Sequence, residues 1–353
     1  MSITEKPYPL IGNLALGREG LGYTIVRIYE TLDDKCPYFG VYMFHKPVFV
    51  AKDKELIKRI LVKDFSSFSN RVQYANEKVD AIASNNLFTF RNDVWKFVRN
   101  KLTPVFTSGK LKLMLPLMND IVVNLEDVLN TTDNQNVDIK DICKRFTTDI
   151  TTSCAFGLDS GILKNTNSEI KEMTDKLLNP KGFVRRFAAF CWLLCPFLID
   201  ILRLPFLDPE ATEYLTNVFK HSEDERKKKN IKRNDFVDLM MELSEQEMEN
   251  DLYKFDDLKK SAQAMVFYNA GTESTSTTLS VCLYELALNP DVQEKLRHEI
   301  KENLDSQGNI SYEKLHGMEY LDLVIKETLR KYPFAQFLSR YADNDYFSNQ
   351  LVW

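Results

Sequence analysis

The most constraining feature of this chain is a long helical pattern, Phe255 to Leu288, whose centre is poorly suited to a helix. At 1.5 Å per residue it runs on the order of 50 Å, enough to cross a whole domain. Its middle reads Ala270-Gly271-Thr272-Glu273-Ser274-Thr275-Ser276-Thr277-Thr278. Glycine costs about 1 kcal/mol in a helix interior, and β-branched hydroxyl residues disfavour helix as well. Ser and Thr also bond back to the i−4 carbonyl and bend helices. Such local violations concentrate at functional sites. Two readings are open. In the first, Gly271 lets a large group lie flat against the backbone, and Glu273 beside Ser274 forms an acid–alcohol pair that holds water and passes protons. In the second, the segment is a polar helix–helix contact packed on small residues.

The rest of the chain is helical almost throughout. Pro37 to Lys52 reads as two β-runs around a turn, because bulky and β-branched residues dominate each run. Asp53 is placed to cap a helix through Leu61, and further helices are expected over Asp93–Leu102, Pro116–Asn130 and Lys140–Phe156, the last stopping at Gly157. Asn289 as N-cap and Pro290 at N1 start another after the long helix. A final helix from about Met318 to Lys331 is stopped by Pro333. The expected fold class is mainly α with a small β-sheet. The charge run between His221 and Asp235 reads as a solvated loop or helix face.

Two more features can carry chemistry. Trp95 and Arg99 are four apart and share a helix face, where an indole N–H and a guanidinium suit a carboxylate or phosphate. An ordinary Trp–Arg packing contact is the competing reading. Glu327 and Arg330 lie on one face at i, i+3, a weak signal alone because any surface helix can contain it. Six Cys without a Cys-x-x-Cys pair, in a chain of 353 residues, read as free thiols, and the four scattered His give no zinc spacing. A formal net charge of −5 argues against nucleic acid as a partner. The apolar run Phe187–Ile199 is too short to span a membrane and reads as a buried helix or as a segment that dips into a membrane surface.

Taken in order, these features resemble the cytochrome P450 family, the haem–thiolate monooxygenases, and most of all its insect-type microsomal branch. PYPLIGN near the start, WKFVRNKLTPVFTSGKLK (Trp95–Lys112), TSCAFGLD (Thr152–Asp159), RNDFVDLMMEL (Arg233–Leu243), AGTEST (Ala270–Thr275) and ETLRKYP (Glu327–Pro333) carry the resemblance, which extends from about Pro7 to Arg340. It implies one cytochrome P450 domain over 1–353. Trp95, Arg99 and Arg340 would bind the haem propionates. Ala270 and Gly271 would lie against the distal haem face, and Glu273 with Ser274 would deliver protons during oxygen activation. Ser274 departs from the family's usual Thr. It loses the methyl that restricts χ1, so looser positioning and more leakage of reduced oxygen are expected. Glu327 and Arg330 would form a structural buried pair joined by a third partner from a later segment.

The resemblance further implies haem b as cofactor, NADPH electrons delivered by NADPH–cytochrome P450 reductase, and a lipophilic small-molecule substrate. It implies the cytosolic face of the endoplasmic reticulum membrane as location, with Phe187–Leu207 touching the membrane surface. Tyr74–Phe90, Leu178–Leu207 and the face around Phe267 would shape the substrate pocket. No residue in the sequence matches the family's axial Cys in Phe-x-x-Gly-x-Arg-x-Cys-x-Gly, the tail after Arg340 reads as a departure from the family, and MSITE stands in place of the membrane anchor. The expectation is a haem-dependent monooxygenase by family, inserting one oxygen atom from O2 into a lipophilic substrate, in a chain short at both ends that does not hydroxylate as it stands; the alternative is a non-catalytic product, at most a helical binding module. An unrelated helical scaffold does not explain why three family motifs occur in order.

Overall fold

The structure is a computed structural model that describes residues 12–13, 21–33, 35–44, 46–132, 136–179, 181–194, 196–245, 253–342, 345–348 and 351–352. Most of PYPLIGN, the MSITE start, His45, Cys195 and parts of the tail lie outside the described residues. The chain divides into two compact units, 1–73 with 335–353 and 74–334.

The first unit has helix α1 (Leu21–Thr31), strands β1 (Tyr38–Met43) and β2 (Lys46–Ala51), helix α2 (Lys54–Lys58), and later the strands β3 (Phe347–Ser348) and β4 (Leu351–Val352). Alternating bulky residues make β1 and β2 an antiparallel hairpin, in register from Tyr38 opposite Ala51 to Met43 opposite Lys46. Its inner face packs Phe39 and Val41 on Ile25 and Ile28 of α1. Asp53 caps α2 by accepting from the Leu56 N–H, as the sequence suggests, and a π-turn follows over Arg59–Lys63. Asn13 pairs with the Tyr42 backbone through both its N–H and its Oδ1, each at 2.7 Å.

The second unit is helical: α3 (Ala81–Ser84), α4 (Asn92–Leu102), α5 (Ser108–Thr131), α6 (Ile139–Phe156), α7 (Glu169–Leu178), α8 (Phe183–Leu194), α9 (Pro196–Leu202), α10 (Pro209–Lys229), α11 (Phe236–Glu245), α12 (Asp257–Leu288), α13 (Pro290–Asn303), α14 (Tyr312–His316) and α15 (Glu319–Lys331). Its core gathers Val98 and Leu102 of α4, Phe156 of α6, Phe219 of α10, Met240 of α11, and Met265 and Tyr268 of α12. The long helix is therefore the spine on which the others pack. Asp256 opens it by accepting from the Lys259 N–H.

Two helix boundaries differ from the sequence reading. α5 begins at Ser108 and carries Pro116 inside it. A proline removes one backbone bond, and burial of Met114 and Ile121 on either side holds the helix through it. The charge run belongs to α10, whose end at Asn230 is left-handed (φ 51°). Most of that run is solvated, but Glu223, Arg226 and Asp235 are buried. The nitrogens of Arg226 meet both oxygens of Asp235 at 2.5 and 2.6 Å and Asp238 at 2.6 Å. The same guanidinium fills the place where a Gly157 side chain would sit, so Gly157 (φ 65°) both ends α6 and admits Arg226. Glu223 accepts from Lys260 of α12 at 2.5 Å and from Lys227 at 2.7 Å.

Candidate functional site

The hydroxyl-rich centre of α12 divides between two faces. Thr272, Ser276 and Ser280 are buried, whereas Ala270 and Thr275 are exposed and Glu273 and Ser274 are half-buried. On the buried side, Thr151 of α6 meets Thr272 hydroxyl to hydroxyl at 2.7 Å, and Thr147 donates to the Thr272 carbonyl at 3.0 Å. Burial pushes the Cys143 thiol up, and a hydrogen bond with Ser280 pulls it partly back. One turn earlier, Tyr268 is wholly buried against Phe156 and shares a 2.5 Å hydrogen bond with Thr174. Burial raises the Tyr268 pKa above the usual phenol range. The polar helix–helix contact thus accounts for Thr272. It also accounts for Gly271, because a β-carbon there would lie 2.8 Å from Thr151 Cγ2.

The other face is what remains for chemistry. Ser274 Oγ donates to the Ala270 carbonyl at 2.5 Å and Thr278 Oγ1 to the Ser274 carbonyl at 2.9 Å. Glu273 and Ser274 are neighbours in the chain but share no hydrogen bond, and each keeps its own orientation. Trp95 and Arg99 lie one turn apart on α4, on a face about 60° round the helix from that of Val98 and Leu102, which are fixed in the core. Trp95 is half-buried; Arg99 is exposed and meets no carboxylate among the described residues.

Arg340 belongs to the first unit. Its Nη1 donates to the Ser339 carbonyl at 2.8 Å, its Nε is buried without a partner, and burial lowers its pKa. It is a half-buried cation with no carboxylate against it among the described residues.

Glu327 and Arg330 are not buried. They form a bidentate pair at 2.7 Å with side chains 56% and 70% exposed, and no described residue supplies a third partner. The expectation of a buried pair is corrected: that face of α15 has nothing packed over it among the described residues. The staple between α12 and α15 is Glu285, which accepts from Lys331 at 2.6 Å and Tyr332 at 2.5 Å.

Two of the three segments expected to shape a pocket, Tyr74–Phe90 and Leu178–Leu207, meet each other. Trp192 of α8 stacks between Phe88 (5.8 Å) and Phe206 (4.1 Å). Phe267 of α12 stacks on Phe236 and tilts against Phe106. Asp80, the N-cap of α3, also accepts from the Leu207 N–H at 2.8 Å. Burial pushes its carboxyl up, against the pull of backbone donors at Leu207, Ala83 and Phe206. Arg185 of α8 donates to the carbonyls of Pro205, Phe206 and Leu207.

Sequence reasoning missed Gln263, which is wholly buried on α12, accepts from the Leu87 N–H and donates to the Asn85 carbonyl and Tyr253. A lone amide inside Ala262-Gln263-Ala264-Met265 was its signal.

Three of the described thiols, Cys143, Cys154 and Cys191, are buried. Burial raises the pKa of Cys143 and Cys191 and pushes Cys154 up to about 12. Cys36 donates to the Tyr38 carbonyl. No helix among the described residues is long and apolar enough to cross a membrane.

Comparison with known proteins places this arrangement. The cytochrome P450 family profile matches residues 4–350. The match runs through the tail after Arg340, so the reading of that tail as a departure from the family is overturned. Cytochrome P450 6k1 of Blattella germanica is 35% identical over 366 aligned residues, covering 98% of this chain and 69% of that protein. Probable cytochrome P450 6a14 of Drosophila melanogaster is 36% identical over 361, covering 97% and 70%. Probable cytochrome P450 6a13 of the same organism is 38% identical over 346, covering 97% and 69%. The chain belongs to the cytochrome P450 family of haem-dependent monooxygenases.

Proposed function

We propose that this chain forms the oxygen-activating and substrate-facing part of a monooxygenase that inserts one atom of O2 into a lipophilic small molecule. The observation that carries this reading is the division of α12. Thr272, Ser276 and Ser280 are engaged with the core, while Ala270, Glu273 and Ser274 are turned elsewhere.

The residues fit a haem in two respects and fail in one. Arg340 offers a half-buried guanidinium with an unpartnered Nε, and Arg99 an exposed one, each suited to a propionate carboxylate. Trp95 shares the face of Arg99. Gly271 does not fit as a haem notch, because Thr151 takes that space. Ala270, with its small exposed side chain, takes that role instead. Haem b, when bound, supplies the redox centre at which dioxygen is reduced. Ser274 Oγ holds its own proton on the Ala270 carbonyl and can release it by rotating about χ1. Glu273, free of any cation among the described residues, supplies the exchangeable proton behind it. Phe88, Trp192 and Phe206 exclude water and favour flat apolar substrates.

NADPH electrons reach the site through NADPH–cytochrome P450 reductase in this reading, at the cytosolic face of the endoplasmic reticulum membrane. Phe183 and Val184 of α8 and Ile201 of α9 are largely exposed and supply the apolar surface that touches the lipid. Burial raises the pKa of Cys143, Cys154 and Cys191, which disfavours these three as an axial thiolate.

Titration with haemin, followed by the Soret band, tests the proposal. Saturable uptake that weakens in Arg340→Leu and Arg99→Leu is expected, and no uptake would contradict it. A thiolate-type spectrum in the reduced carbonyl complex would overturn the assignment of the thiols.

A further inference from the structure

We propose that Thr151 of α6 is a positioning residue that sets the rotation of α12. Three contacts from one turn of α6 fall on two successive residues of α12. The Thr151 methyl blocks any side chain at Gly271, with 2.8 Å to a β-carbon built there. The Thr151 hydroxyl meets the Thr272 hydroxyl at 2.7 Å, and Thr147 donates to the Thr272 carbonyl at 3.0 Å. Thr272 is itself wholly buried and donates to the Tyr268 carbonyl at 2.8 Å.

A helix turns about 100° per residue. Ala270 lies two residues before Thr272 and Ser274 two after it, so each is about 200° round from the contact, nearly opposite. Fixing Thr272 inward therefore aims Ala270 and Ser274 outward together. The glycine of this motif is required by its neighbour on α6 and acts on the opposite face only through rotation. That this outward face is the reaction face rests on the function proposed above; the aiming itself does not.

Size exchange in the full chain tests the inference. Gly271→Ala gains helix propensity but meets the Thr151 methyl, and a drop in melting temperature of roughly 2–8 °C is expected. Thr151→Ser removes that methyl and keeps the hydroxyl, so the Gly271→Ala/Thr151→Ser chain recovers to the level of Thr151→Ser alone. Gly109→Ala on α5, where nothing lies within 4 Å, is the control and loses no stability.

Orientation is read separately by iodoacetamide labelling of an Ala270→Cys thiol, resolved by peptide mass spectrometry. The rate changes several-fold on adding Gly271→Ala and returns on adding Thr151→Ser. Absence of a melting drop, a drop that Thr151→Ser does not repair, or an unchanged labelling rate would each overturn the inference. Neither readout involves haem, so failure of haemin uptake would sink the proposed function and leave this result standing.

Discussion

Two arginine–carboxylate forks in this molecule share the same chemistry and nearly the same distances. Arg330 grips Glu327 at 2.7 Å on α15, and Arg226 grips Asp235 at 2.5 and 2.6 Å between α10 and the start of α11. The first is exposed. In the second, the side chains of Arg226 and Asp235 are 4% and 0% exposed. Water screens the first pair and supplies the hydrogen bonds that either charge would lose. The second has no such alternative, and burial works against the Arg226 charge until Asp235 and Asp238 outweigh it and raise its pKa. Similar distances thus have opposite consequences, and burial decides which.

Removing one partner from the buried fork should have the largest effect. Arg226→Met removes the hydrogen-bonded cation from Asp235 and Asp238, leaves Arg233 3.6 Å from Asp235, and opens the end of α6 at Gly157. A loss of about 3–5 kcal/mol in chemical denaturation is expected, and a loss under about 1 kcal/mol would show that water reaches the fork.

Asp80 sharpens the contrast as a buried carboxylate held chiefly by backbone donors. Its folded pKa is raised, so its contribution to stability is fully present below the ordinary value of 3.8 and is lost as pH rises through the raised value. Asp80→Asn should flatten that stretch of the pH–stability curve. A curve of unchanged slope would show that the carboxyl is solvated.

The smallest effect belongs to the exposed fork. Glu327→Gln should leave the melting temperature unchanged within error. A clear drop would mean that the pair is covered in solution.

Much of the fold is legible in the sequence because its signals are local. β-Branched runs mark β1 and β2, Asp53 acts as a cap, and Gly157, Pro290 and Pro333 punctuate helices where backbone chemistry demands it. Burial is not local, and the misreadings share that cause. Pro116 looked like a helix start because the packing of Met114 and Ile121 lies outside any propensity rule. The charge run looked solvated because its composition does not reveal that Arg226 faces a gap left by Gly157. Glu327 and Arg330 looked buried because the family resemblance carries no measure of what covers α15 in these residues.

The site shows the same limit. The oddity of Ala270 to Thr278 is visible in sequence, but its division into an α6 side and an outward side needs Thr147 and Thr151, more than a hundred positions away. Those threonines carry no signal of their own in α6. Only the register of two helices makes them part of the site.

The central claim is that the Ala270–Ser274 face of α12 is where haem lies. Haemin uptake by Ala270→Phe tests it most directly, since this exposed position tolerates a larger side chain without disturbing the core. An unchanged melting temperature and a lost Soret response are expected if haem lies on that face; uptake equal to that of the unaltered chain would place haem elsewhere.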